Sequence, residues 1–214
     1  MMESRSLTPA DRILSEISKA INVLTAPARS SRPYPGGPGA GVALSEAEMA
    51  SAASLMRVNH AGEVAAQALY HGQAFWARKP GISAALNTAA LEEMDHLAWC
   101  ERRIRELGGR TSLLNPVWYA GSFLIGALAA RAGDATSLGF VTETEAQVES
   151  HLKGHLRRLP AADAPSRRIL EAMAADEVAH GAMAARIGGK PLPGFIRIAM
   201  KWTARLMTVG SSWL

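Results

Sequence analysis

Long stretches of the chain repeat apolar residues at the spacing of an amphipathic α-helix. Alanine and leucine carry this pattern, whereas Val, Ile, Thr and the aromatic residues do not alternate as a β-strand requires. Proline residues and paired glycines interrupt the pattern and divide it into segments. We therefore predict an all-α protein with helices over residues 7–25, 45–76, 83–107, 136–159, 165–187 and 195–214.

Two segment boundaries carry local signals for helix starts. Thr8 before Pro9 is a typical N-cap, and Ser45 with Glu48 forms the pattern of a capping box. Between these two starts, residues 30–41 are rich in Pro and Gly and predict a flexible linker. The sequence thus suggests an N-terminal helix and linker over residues 1–43, followed by a helical domain over residues 44–214.

Candidate chemistry lies in two Glu-x-x-His tetrads on the predicted helices. Residues three apart lie on one helix face, so each tetrad can direct a carboxylate and an imidazole at one metal ion. A single glutamate precedes each tetrad on the previous helix, 30 residues before the first (63 to 93) and 32 before the second (145 to 177). Such a set is typical of a two-metal site in a four-helix bundle, where four carboxylates balance two divalent ions. The candidate ligands are Glu63, Glu93, His96, Glu145, Glu177 and His180.

Composition narrows the remaining possibilities. A chain of 214 residues and 22.7 kDa fits one domain with a full core. The single cysteine, Cys100, excludes a disulfide framework and a cysteine-based metal site, and it is predicted to be a packing residue. Although the net charge is +4, the basic residues are scattered, which argues against nucleic acid and favours an anionic membrane surface as partner. The first twenty residues lack the apolar core of a signal peptide, so we expect a cytoplasmic location.

Two segments have the character of membrane-associating helices. Residues 111–130 contain no charge, but their apolar part, 117–130, is too short to span a bilayer. This segment is either a buried helix or one that enters the membrane interface. At the C-terminus, Arg197, Lys201 and Arg205 share one helix face, which suits a membrane interface or ordinary packing on the bundle. The apolar residues beside that face are Phe195, Ile198, Trp202, Leu206 and Met207.

Several polar residues near the tetrads have more than one interpretation. Asp95 and Asp176 are candidates to hold the second nitrogen of a ligand imidazole, or else they form surface ion pairs. His60 either touches the site or is a hydrogen-bonded core residue, and Tyr70 is expected to bond a ligand carboxylate. The two histidines predicted to be exposed are His71 and His155.

Four segments, over a match of about residues 44–214, resemble the demethoxyubiquinone hydroxylases, which are di-iron monooxygenases of ubiquinone biosynthesis. The segments are RVNHAGE at 57–63, E-x-D-H at 93–96, T-E-x-Q-V at 144–148 and D-E-x-x-H at 176–180. The resemblance implies a ferritin-like bundle, peripheral attachment to the membrane that holds the quinone pool, and hydroxylation of the one open ring carbon of 2-polyprenyl-3-methyl-6-methoxy-1,4-benzoquinone. Together with the two segments described above, it leads us to expect a ferritin-like four-helix bundle with additional membrane-associating helices, attached to the cytoplasmic side of the cell membrane.

The same resemblance assigns roles to the candidate ligands. Glu63, Glu93 and His96 would hold one iron, and the other three ligands would hold the second, with Glu93 and Glu177 bridging the pair and O₂ as co-substrate. His151 matches a family histidine near the site, but Leu152 stands where animal members have tyrosine, so a relay role is not carried over. The chain lacks a nucleotide-binding fingerprint after a strand, so a separate electron donor is expected, and other ubiquinone-biosynthesis proteins are possible partners.

Two other functions compete with this hypothesis. A ferritin-like ferroxidase would use a similar ligand set, but the uncharged run at 111–130 does not suit the polar shell of a storage assembly. A non-catalytic membrane-surface protein that binds polyprenyl lipids would not need all six ligands.

Overall fold

A computed structural model describes residues 8–37 and 43–213, and within these ranges every regular element is an α-helix. This confirms the all-α prediction. The helices are α1 (Pro9–Thr25), α2 (Glu46–Trp76), α3 (Pro80–Glu106), α4 (Asn115–Arg131), α5 (Asp134–Arg158), α6 (Ala164–Arg186) and α7 (Gly194–Trp213).

The predicted boundaries agree with these helices to within about three residues, because the stop and start signals act locally. The Thr8 and Ser45 side chains both accept hydrogen bonds from the third residue of their helices, as capping boxes do. The largest difference is at α3, which begins at Pro80 rather than at residue 83. Proline fits the first helical turn, where its missing N–H costs no hydrogen bond.

Helices α2, α3, α5 and α6 form a four-helix bundle in which α2 packs with α3 and α5 packs with α6. Two apolar clusters fill this bundle. The first draws on 52–56 of α2, 99–104 of α3, Leu152 and 169–173 of α6, and it contains the buried Cys100 expected from the sequence. The second draws on 70–74, 82–90, 138–141 and Ala184. On each of the four helices, the stretch between these two clusters includes buried polar residues.

Helix α4 packs closely against α2. A Cβ at Gly72 of α2 would collide with the Phe123 carbonyl, and one at Gly126 of α4 would collide with the Leu69 carbonyl. Only glycine permits this approach. Tyr119, Gly126, Ala127 and Ala130 form the buried side of α4, whereas Val117, Leu124 and Leu128 on the other side are exposed. The segment is therefore a helix with one buried and one exposed side, and its entry into a membrane interface stays a prediction.

The prediction of a flexible linker over residues 30–41 is wrong for its described part, and residues 38–41 lie outside the described ranges. Residues 28–36, which we name the N-terminal strap, bond directly to the bundle. The Tyr34 hydroxyl donates to Glu106 over 2.9 Å, and Arg168 donates to the carbonyls of Pro35 and Gly36. Polar side chains on α3 and α6 thus compensate for the absence of helix in the strap. The boundary between residues 43 and 44 stays a prediction.

Candidate metal centre

Six buried side chains meet midway along the bundle, between the two apolar clusters. They come one from α2, two from α3, one from α5 and two from α6, and none is more than 5% exposed. They form two overlapping groups of four residues, and within each group the potential ligand atoms lie within 4.8 Å of one another. The first group is Glu63, Glu93, His96 and Glu177, and the second is Glu93, Glu145, Glu177 and His180. The structure therefore brings together all six residues predicted from the sequence.

Glu93 and Glu177 belong to both groups because each offers one oxygen to each histidine. Glu93 Oε2 lies 2.8 Å from His96 Nδ1, and its Oε1 lies 3.0 Å from His180 Nδ1. Glu177 Oε1 lies 3.6 Å from His96 Nδ1, and its Oε2 lies 3.6 Å from His180 Nδ1. This geometry suits two carboxylates that bridge a pair of ions, as the family resemblance implies.

Each imidazole turns Nδ1 towards the cluster and Nε2 towards an acidic side chain from the facing helix. His96 Nε2 lies 2.8 Å from Asp176 Oδ2, and His180 Nε2 lies 2.6 Å from Glu92 Oε2. In a neutral imidazole, a proton on Nε2 donated to the carboxylate leaves the Nδ1 lone pair free to bind metal. These contacts thus set the orientation and the tautomer that a metal ligand needs.

Of the two alternatives for these aspartates, Asp176 realises both, because it contacts the His96 imidazole and pairs with Arg32, whereas Asp95 pairs with Arg32 and does not contact an imidazole. Asp95 faces the N-terminal strap, where Ser31 N donates to its Oδ1 over 2.6 Å. Sequence reasoning missed Glu92, although a positional signal existed. Glu92 immediately precedes Glu93, just as Asp176 immediately precedes Glu177.

Burial raises the pKa of three acids in the cluster, whereas at Glu93 burial is outweighed by the two imidazoles, which lower its pKa well below the usual range. Burial raises the pKa of Glu63 to about 8 and that of Glu177 to about 7, with the charge of Glu93 adding to both shifts. Burial and the charge of Glu177 raise the pKa of Glu145 well above its usual range. Burial opposes charge on His180, yet the nearby carboxylates of Glu177 and Glu93 raise the pKa of that imidazole to about 11. The metal-free cluster therefore keeps protons at neutral pH, and divalent ions must displace them.

Several atoms of the cluster lack hydrogen-bond partners within the protein, and metal ions would satisfy them. Among the described residues, Glu93 Oε1, both Glu177 carboxylate oxygens and His180 Nδ1 are buried without a hydrogen-bond partner. Such groups are costly unless something else satisfies their lone pairs. Carboxylate and imidazole ligands suit iron or manganese, and four carboxylates balance the charge of two divalent ions.

Tyr70 reinforces one side of the cluster. The residue is 1% exposed, and its hydroxyl donates a hydrogen bond to Glu145 Oε1. Burial and the neighbouring Glu145 charge raise the pKa of Tyr70 well above 10, so the phenol keeps its proton. Tyr70 therefore acts as a donor that holds Glu145 in place, as expected from the sequence.

His60 is a core residue and not part of the cluster. Its Nδ1 lies 3.5 Å from Asn115 Nδ2 of α4, and burial lowers its pKa to about 4. The prediction that His71 is exposed is wrong, because α4 covers this part of α2. His71 Nδ1 lies 2.9 Å from the Tyr119 hydroxyl, and the side chain is buried.

His155 is also buried, contrary to the prediction of exposure. Its Nδ1 lies 2.8 Å from Asn59 Oδ1 of α2, which faces α5 inside the bundle. His151 lies one turn earlier on α5, with its ring centroid 4.0 Å from that of His155. Neither histidine joins the groups of potential metal ligands among the described residues.

Comparison with known proteins confirms the resemblance found in the four sequence segments. The family model described as "Ubiquinone biosynthesis protein COQ7" matches residues 50–211. A 3-demethoxyubiquinol 3-hydroxylase of Bordetella pertussis is 54% identical over 211 residues, which cover 98% of this chain and 95% of that protein. Proteins of the same name from Dechloromonas aromatica and Nitrosomonas europaea are 52% and 50% identical over 92% and 95% of this chain, and over 96% and 98% of their own lengths. The chain therefore belongs to the COQ7 family of ubiquinone biosynthesis proteins.

Proposed function

We propose that this protein is an O₂-dependent di-iron monooxygenase that hydroxylates 2-polyprenyl-3-methyl-6-methoxy-1,4-benzoquinone in ubiquinone biosynthesis. The name shared by its relatives suggests that the ring reacts in its reduced, quinol form. The observation that carries the proposal is the buried cluster of four carboxylates and two imidazoles, arranged in two groups that share Glu93 and Glu177.

When bound, two ferrous ions would supply electrons to O₂, so that one oxygen atom enters the ring and the other leaves as water. The protein's own residues prepare the site for this chemistry. Asp176 and Glu92 orient the two imidazoles, and Tyr70 holds Glu145. The apolar clusters on either side limit access of water, which would otherwise compete with the substrate and consume reactive species. A separate donor must return the electrons after each turnover.

A groove between α5 and α6 supports the idea that a ring can approach the cluster. It has a volume of about 300 Å³ and reaches Glu145 and Glu177. Most of its other lining side chains are small. The other lining residues, small or not, are Thr142, Ala146, Glu149, Val178, Gly181, Ala182 and Ala185.

The test is the reaction itself. Protein reconstituted anaerobically with Fe(II) should bind two irons per chain. With a short-chain demethoxyubiquinol, a reductant and ¹⁸O₂, it should form a hydroxylated product that carries one labelled oxygen, measured by mass spectrometry. If the irons are oxidised but the ring is unchanged, the protein is a ferroxidase. If no iron binds, the lipid-binding alternative takes its place.

We also propose that the protein attaches peripherally to the cytoplasmic side of the cell membrane, where its polyprenyl substrate resides. None of the described helices is long and apolar enough to cross a bilayer. Helix α7 buries only Ser211, and Trp202 and Leu206 are 65% and 66% exposed on its apolar side. An interfacial helix has this form, with apolar residues in the lipid and basic residues at the headgroups. Other exposed apolar residues include Ile13, Leu14, Ile17 and Ile21 of α1 and Val117, Leu124 and Leu128 of α4.

Changing Trp202 and Leu206 together to Glu should release the protein from membranes into the soluble fraction without loss of iron. Each large apolar side chain contributes roughly 1.5–3 kcal/mol when it is buried in lipid, so two acidic replacements remove much of the attachment. Membrane flotation and iron analysis measure the outcome.

The matched control is Trp202→Phe with Leu206→Met, which keeps both positions apolar and should stay with the membrane. If the acidic double variant instead aggregates and loses metal, α7 is part of the core. Attachment must then be sought in the uncharged segment alone.

A further inference from the structure

The N-terminal strap reaches the back of the metal centre, although it lies outside the part of the chain that the family model matches. Two of its serines bond to α3. Ser30 Oγ donates to Asp95 Oδ1 over 2.9 Å and accepts a hydrogen bond from Trp99 Nε1 over 3.0 Å. Ser31 N donates to the same Asp95 oxygen. The strap is therefore held at a defined place beside His96.

This attachment positions the guanidinium of Arg32 between two helices. Its Nε donates to Asp95 Oδ2 of α3 over 2.9 Å, and its Nη2 donates to Asp176 Oδ2 of α6 over 2.6 Å. The group also lies over the Trp99 ring, with 4.6 Å from Cζ to the ring centroid. A planar guanidinium can make these contacts at once because its donors diverge in fixed directions.

Asp176 connects Arg32 to a candidate metal ligand. Its Oδ2 accepts from Arg32 and also lies 2.8 Å from His96 Nε2. The Asp176 side chain is 28% exposed, so without a partner its carboxylate would be free to rotate towards water. Arg32 restrains it in the orientation that holds the imidazole.

The second imidazole has a weaker support. Glu92, which holds His180, has a side chain that is 51% exposed. Across residues 8–37 and 43–213, no Lys or Arg forms an ion pair with Glu92. The two halves of the centre therefore differ in how firmly their histidines are held.

We propose that Arg32 is a positioning residue of the metal centre, which acts through Asp176 on His96 and makes the half formed with Glu63 and Glu93 the more firmly held of the two. This inference rests on the proposed di-iron function. It gives the strap a role in metal retention, separate from the folding of the bundle.

Release of Fe(II) to the chelator 2,2′-bipyridine under anaerobic conditions tests this proposal. Wild-type protein should release its two irons in a fast and a slow phase. Arg32→Gln should accelerate the slow phase about tenfold, the lower end of the 10–100-fold loss of affinity typical for a ligand's own hydrogen-bond partner, because Arg32 acts on His96 only through Asp176. Glu92→Gln should accelerate the fast phase instead, which assigns each phase to one half. Tyr34→Phe removes another bond of the strap, to Glu106, and should leave both phases as in wild type.

A double-variant cycle distinguishes positioning from general loosening. In an Asp176→Asn background, Arg32→Gln should have no further effect on iron release, because the connection is already broken. Arg32→Lys keeps the positive charge but lacks the diverging donors of the guanidinium. Its slow phase should be intermediate between those of wild type and Arg32→Gln.

Three results would overturn the inference. They are unchanged release from Arg32→Gln, a full effect of that variant when Asp176 is already Asn, and an equal effect of Tyr34→Phe. Should wild-type protein fail to bind two irons, the proposed function itself would be wrong, and the two failures are thereby distinguishable.

Discussion

Replacement of Glu177 by Ala should leave the protein with almost no iron, whereas wild type is expected to bind two ions per chain. Glu177 presents one oxygen to each half of the cluster, so its loss would remove a candidate ligand from both ions at once. It also leaves three carboxylates to balance two divalent charges in a buried site, which is unfavourable. Elemental analysis of anaerobically reconstituted protein measures the effect, and hydroxylation should fall below detection.

The control for this variant is Glu171→Ala, which removes an exposed acid from the same helix and should keep both irons. Glu63→Asp gives a second comparison, because Glu63 belongs to only one of the two groups. That variant is expected to retain metal in an altered geometry. Two irons in Glu177→Ala would show that the bridging assignment is wrong.

Cells that lack this protein should accumulate 2-polyprenyl-3-methyl-6-methoxy-1,4-benzoquinone and contain no ubiquinone. The expectation follows from the proposed reaction, since the unhydroxylated ring cannot proceed to the finished quinone. Quinones extracted from the cells and separated by chromatography with mass detection report the outcome. A copy with wild-type sequence or Glu171→Ala should restore ubiquinone, whereas Glu177→Ala should not. Accumulation of an earlier intermediate would assign the protein to a different step.

The candidate ligands could be predicted from sequence because their geometry is set within single helices. Glu93 and His96 share a helix face whatever surrounds them, and the same holds for Glu177 and His180. The capping residues Thr8 and Ser45 are local in the same sense, since each bonds only to the turn that follows it.

The errors concern contacts between segments that are distant along the chain. His71 was predicted to be exposed because nothing in α2 indicates that α4 covers it, and that cover depends on the close approach at Gly72. His155 is buried because Asn59, 96 residues earlier, lies opposite it. Asp95 and Asp176 each lie one position before a candidate ligand, yet only Asp176 is directed at an imidazole.

By itself the sequence determined the helical class, the helix ends and the six residues of the cluster, because periodicity and capping depend on neighbours within a few positions. Only the tertiary structure decided which acids support the histidines and which oxygens of Glu93 and Glu177 face each half. It also decided that a Pro- and Gly-rich segment with no helical pattern lies against the bundle through Arg32. The physical reason is that hydrogen bonds between distant segments depend on how the helices pack, and residue spacing along the chain carries no record of that packing.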